Sequence, residues 1–230
     1  MMPLLALAIF IVALFFADAA VQHYRRKQKK EPLQLTALQE PFYAFIDIQT
    51  NGLITPNNIP DIVELHWTVT DSNYIPLSSN CFVIAQENLG SAEAKKKHNL
   101  SNSIVKKQGI SLLAALRKFC NETQAPHWVF YNRDFDCHVL QHALDQCNLT
   151  LPHAPQLQCL MVSYAEQCEE SGKYVSLPSA VKEQLGASAL LERPTTPRST
   201  YNAHLTLRLH QALSKTTTIA AMRYNAAHWR

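Results

Sequence analysis

The chain has 230 residues, 47% of them hydrophobic, and a formal net charge of only +3. That is apolar material enough for one core of ordinary size, so one compact domain with a short appendage is expected. The small charge excludes a polycation that holds nucleic acid through bulk electrostatics, and any such binding has to be local.

The N-terminus comes first in chain order. Leu4 to Phe16 holds no polar residue, the first charge is Asp18, and Arg25, Arg26, Lys27, Lys29 and Lys30 follow directly. An apolar run close to ~20 residues with basic residues on one side reads as a single-pass transmembrane anchor over 1–22 whose following chain is cytoplasmic. The rival is a cleaved signal peptide, because Ala17-Asp18-Ala19 has the small-x-small form of a cleavage site and would lead to export. The missing basic residues ahead of the run and the basic block after it favour the anchor. Residues 23–40 are expected to be a basic juxtamembrane linker able to meet anionic lipid head groups.

A domain over 41–213 is expected next. Tyr43 to Ile48 is an apolar strand carrying Asp47, and Thr50-Asn51-Gly52 supplies a turn. Over Ile62 to Thr70, Val63, Leu65, Trp67 and Val69 alternate with polar residues, the pattern of a strand with one buried face. Cys81 to Ala85 reads as a third strand, joined to the second through Asp71-Ser72-Asn73 in an antiparallel meander. Ser101 and Ser111 are placed to cap two helices, the first closed by Gly109. His127 to Tyr131 is a fourth strand, and Phe135, Val139, Leu140, Ala143, Leu144 and Cys147 then recur at helical spacing, which puts Asp136 at a strand-to-helix junction. Further helices are expected over Met161–Cys168, Pro178–Leu185 and Asn202–Leu213, with a loop from Glu192 to Thr200 and a C-terminal tail over 214–230. Strands first and helices later indicate an α/β or α+β domain with a mixed sheet.

The six cysteines (Cys81, Cys120, Cys137, Cys147, Cys159, Cys168) show no paired spacing and read as reduced core thiols. Cys137, His138, His142 and Cys147 were weighed as a zinc set because the two histidines share a helix face, but no C-x-x-C partner pair exists.

Four ordered segments resemble one family. Phe45-Ile46-Asp47-Ile48-Gln49-Thr50-Asn51-Gly52-Leu53 is similar to the first motif, F-x-D-x-E-T-T-G-L, of the DnaQ-like (DEDDh) 3′–5′ exonucleases. Ile62-Val63-Glu64-Leu65 resembles that family's second strand, His98-Asn99-Leu100-Ser101 its H-G-I-T, and Tyr131-Asn132-Arg133-Asp134-Phe135-Asp136 its H-N-x-x-F-D. Pro197 to Ala203 sits where the family has H-x-A-x-x-D-A. The resemblance spans about residues 41 to 213. It implies a ribonuclease H-like fold: a mixed five-stranded sheet, three antiparallel strands then parallel ones, flanked by helices.

The resemblance also implies a chemistry. Such enzymes use four carboxylates to hold two divalent ions, Mg²⁺ or Mn²⁺, about 4 Å apart, and a histidine takes the proton of the attacking water. Asp47 and Asp136 retain the first-motif and second-motif aspartates and are the candidate catalytic and metal-holding residues. Gln49 replaces a glutamate, Asn202 the last aspartate, and Pro197 the histidine. Neutral ligands compensate hard dications poorly, and loss of a general base alone costs ~10²–10⁴ in rate. Asp134, Glu64 and His204 are the nearby groups that would have to compensate.

The expected function is therefore a membrane-anchored, exonuclease-like nucleic-acid-binding domain with a degenerate site, its partner a single-stranded 3′ end. The alternatives are an active metal-dependent 3′–5′ exonuclease working through Asp47 and Asp136, and a protein-interaction domain at the membrane. Phe130, Tyr131, Arg133, Lys106 and Lys107 fit strand core or solvated helix face better than a binding surface.

Overall fold

The computed structural model describes residues 39–167, 174–190 and 197–216. The expected anchor, most of the linker and the C-terminal tail beyond residue 216 lie outside them, as does Cys168. Among the described residues no helix is long and apolar enough to cross a membrane.

Five strands form one mixed sheet: β1 (Tyr43–Thr50), β2 (Ile62–Thr70), β3 (Pro76–Val83), β4 (His127–Phe130) and β5 (Gln156–Cys159), in the order β3-β2-β1-β4-β5. β1, β2 and β3 pair antiparallel, while β4 joins β1, and β5 joins β4, in parallel. Parallel neighbours need a crossover. Helices α1 (Ala92–His98), α2 (Asn102–Gln108) and α3 (Leu112–Glu122) lie between β3 and β4, and α4 (Arg133–Gln146) between β4 and β5. After β5 come α5 (Leu160–Gln167), α6 (Leu177–Leu185), a 3₁₀ turn (Ala187–Ala189) and α7 (Arg198–Thr216).

Strand alternation divides the core between the two faces of the sheet. Ala44, Ile46 and Ile48 of β1 and Leu65, Trp67 and Val69 of β2 pack with Leu116 and Phe119 of α3 and Val139, Leu140 and Leu144 of α4. Trp67, Phe119 and Trp128 meet edge to face, the favoured geometry of their ring quadrupoles. A second cluster gathers Leu160, Tyr164, Val181, Leu205, Leu209 and Leu213 from α5, α6 and α7.

Local signals account for most helix starts. Ser101 and Ser111 accept backbone N–H bonds from Ile104 and Ala114, as capping serines do, and Gly109 ends α2. At Gly109 a Cβ would sit 2.5 Å from the Val105 carbonyl oxygen, so the residue is required for space.

Three elements differ from expectation. The third strand runs over Pro76–Val83 rather than 81–85, because its polar residues belong to a sheet edge. Ala92–His98 is a helix capped by Ser91 that has no apolar periodicity to announce it. α7 starts at Arg198, inside the segment expected to be a loop. The polar face of β2 is also not solvated: Glu64, His66 and Thr70 are 0%, 2% and 0% exposed. Contacts to α7 explain this. The Ser199 backbone N–H donates to Glu64 Oε2 over 2.6 Å, and Thr200 Oγ1 lies 3.1 Å from His66 Nδ1.

Candidate active site

β1 is the central strand and presents Asp47 and Gln49 on the face toward α7, because side chains two apart on a strand share a face. The Gln49 side-chain Nε2 donates to Asp47 Oδ2 over 2.6 Å. Asn202, one turn into α7, supplies a second side-chain hydrogen bond to Asp47. Asp136, in the first turn of α4, comes close enough to Asp47 for mutual repulsion and accepts the Ile48 backbone N–H. Asp47, Gln49, Asp136 and Asn202 thus converge from β1, α4 and α7 on one cleft, as the sequence motifs imply.

The electrostatics follow from that convergence. Burial pushes the Asp47 carboxyl up to about 7, against the opposing hydrogen bonds of Gln49 and Asn202. Asp136 is raised well above the usual carboxylate range, by burial first and by Asp47 second. Glu64 is raised by burial too, countered by the Ser199 N–H. Its Oε1 is buried with no hydrogen-bond partner.

Asp134, His204, Pro197 and Glu64 do not add a carboxylate or a base beside Asp47 and Asp136 in the way the resemblance would require. Asp134 is exposed and bound 2.7 Å from Arg133 in an ion pair. His204 is exposed, on a different face of α7 from Asn202. Pro197 directly precedes α7 and has no proton-accepting side chain. Glu64 is nearest: its Oε2 takes the Ser199 N–H at the start of α7, while its Oε1 is left without a partner.

Two divalent ions do not fit this donor set. Asp47 already accepts two amide hydrogen bonds, Asp136 accepts a backbone N–H, and among the described residues no three His, Cys, Asp or Glu side chains group to hold a metal. Hard dications need several anionic oxygens free of competing donors. His138 and His142 do not make a zinc set either: His138 is exposed and His142 Nε2 lies 3.0 Å from Gln146 Nε2. The five described cysteines carry free thiols.

One feature was not legible from motifs. A groove of 790 Å³ opens between the loop after β1 and α4, its lining mixed: Thr55, Asn57, Asn58, His138 and His142 with the apolar Ile54, Pro56 and Ile59. No lysine or arginine lines it. The signal in the sequence was the polar 55–58 segment next to the first motif, which only the fold brings against α4.

Comparison with known proteins agrees with this architecture. No protein-family model and no curated protein matches the chain by sequence. Among solved structures, E. coli exonuclease I in its single-stranded DNA complex superposes with a TM-score of 0.64 at 13% identity, over 78% of this chain and 42% of that one. A 3′-exonuclease described as recognising the histone mRNA stem-loop gives 0.63 at 12% identity, over 77% of this chain and 83% of that one. Exonuclease X bound to 5′-overhanging duplex DNA gives 0.56 at 18% identity, over 78% and 95%. This chain therefore spans less than half of the exonuclease I chain. The fold is shared with these exonucleases.

Proposed function

We propose that this protein is a membrane-tethered, exonuclease-like domain that binds single-stranded nucleic-acid 3′ ends and has lost phosphodiester hydrolysis. The observation that carries the reading is the Gln49–Asp47 hydrogen bond: a side-chain amide sits where the family's chemistry needs a second anion. Asn202 and Pro197 remove another acid and the base. Asp47 and Asp136 keep their places in the cleft, so the site retains its shape while lacking its charge. Support for nucleic acid as ligand comes from the fold, since neighbours of the same fold are described in complexes with single-stranded DNA. Support for tethering is the apolar run and its one-sided basic flank in the sequence.

The test is a trimming and binding assay on the full chain in detergent, with a 5′-labelled single-stranded oligonucleotide and Mg²⁺ or Mn²⁺. Retention of the oligonucleotide without shortening is expected. Shortening that Asp47→Ala abolishes establishes the active exonuclease instead. Resistance to alkaline carbonate extraction tests the anchor separately.

A further inference from the structure

We propose that the Asp47–Asp136 cleft engages its nucleic-acid end without a divalent metal, side-chain amides occupying the cation positions, and that Gln49→Glu with Asn202→Asp converts it into a metal site. The ligand in this statement rests on the nucleic-acid-binding reading above; the statement about metal stands apart from it.

The hydrogen bonds around both aspartates run toward their oxygens. Asp47 accepts from the Gln49 amide nitrogen at 2.6 Å and from Asn202, and Asp136 accepts from the Ile48 backbone. Carboxylate lone pairs that would face a cation face N–H groups instead. An amide can rotate to offer its oxygen, but that rotation sets oxygen against the Asp47 oxygen and forfeits the hydrogen bond between them. A metal entering this cleft therefore has to displace donors before it gains ligands.

Charge points the same way. Two dications bring four positive charges, whereas the cleft offers the carboxyls of Asp47 and Asp136. Glu64 lies directly across from Gln49 on β2, where its Oε2 accepts the Ser199 N–H, and among the described residues it does not form a three-residue metal-holding group with the aspartates. The amides are useful in themselves. Each has a second N–H beyond the one given to Asp47, and Gln49 and Asn202 are both partly exposed. Those N–H groups suit phosphodiester oxygens, while the aspartates suit a terminal hydroxyl as donor.

The experiment has two arms on the full chain in detergent. In the first, the electron paramagnetic resonance signal of free Mn²⁺ is titrated against wild type, Gln49→Glu, and Gln49→Glu/Asn202→Asp. No saturable binding by wild type up to about 1 mM Mn²⁺, with a site of at least about tenfold higher affinity in the double variant, is expected. Saturable wild-type binding that Asp47→Asn removes overturns the proposal, and so does a folded double variant that gains no site. Circular dichroism checks folding, and Gln49→Glu serves as the readout if the double variant unfolds. In the second arm, fluorescence anisotropy measures the oligonucleotide Kd in EDTA and in Mg²⁺. A change of less than about twofold is expected, and weakening of about tenfold or more in EDTA overturns the proposal. Absence of oligonucleotide binding in both buffers refutes the nucleic-acid reading and this proposal's ligand, while the Mn²⁺ titration still decides whether the cleft is a metal site.

Discussion

The Gln49 amide and the Asp47 carboxylate, two residues apart on the central strand, are joined by a hydrogen bond of 2.6 Å. It sets a donor against an acceptor. Gln49→Glu, in metal-free buffer at neutral pH, is expected to lower stability by about 1–3 kcal/mol, because it removes that donor and adds a like charge beside Asp47 and Asp136. Urea unfolding at fixed pH checks it.

Glu64 and Ser199 predict a second effect. The Glu64 carboxylate, buried on β2, takes the backbone N–H of Ser199 in the first turn of α7, so a distant strand caps this helix. Glu64→Ala should cost about 2–4 kcal/mol by leaving a buried N–H without a partner. Glu64→Gln keeps an acceptor and should cost less than half as much. Urea midpoints for the two variants separate the outcomes.

His210 gives a pH prediction. It lies buried between the Tyr74 hydroxyl, 2.9 Å from its Nδ1, and Gln158 Oε1, 2.9 Å from its Nε2. Tyr74 as donor to Nδ1 and Nε2–H as donor to Gln158 satisfy the neutral ring. Burial, then His127, pulls its pKa down to about 4. The unfolded ring takes its proton near ~6.5, so His210 favours the folded state fully above that value. Its contribution falls as the pH drops from about 6.5 to about 4, a loss approaching about 3 kcal/mol. The raised acids Asp47, Glu64 and Asp136 titrate with the opposite sign. Comparing wild type with His210→Asn across that window isolates the histidine, and the variant should lose less stability on acidification.

Gly90 has a φ of +82°, and a Cβ there would lie 1.8 Å from the Asn51 carbonyl oxygen, at the end of β1. Gly90→Ala has to move backbone rather than a side chain. It should destabilise by about 2–5 kcal/mol, visible as a fall in Tm. The adjacent loop after β1 lines the groove, so oligonucleotide affinity should fall with it.

The groove carries no lysine or arginine, which predicts the salt response of nucleic-acid binding. The slope of log Kd against log salt should correspond to no more than about two released counterions, at about 0.7 per phosphate contact for a single strand. Anisotropy titrations between low and moderate salt measure it.

What the sequence disclosed, and what it hid, divides by range. Asp47 on a strand and Asp136 at a helix start were legible because each sits in a local pattern of apolar residues. The start of α7 was hidden because its anchoring acceptor, Glu64, comes from β2, and Arg198-Ser199-Thr200 carry no cap of their own. The same distance concealed the burial of Glu64, His66 and Thr70: alternation shows that a strand has two faces, but not that a later helix covers the polar one. β5 has four residues, Gln156–Cys159, too few to show a period. The direction of the Gln49 hydrogen bond is a matter of side-chain placement, which the letters alone do not give.

The polar face of β2 ties the assembly of the cleft to the arrival of α7. A nascent chain that has not yet emerged past residue 197 exposes Glu64 and His66 to water and leaves Asp47 without Asn202. A chain shortened ahead of α7 would be a sheet with one side undressed, prone to pair with its neighbours.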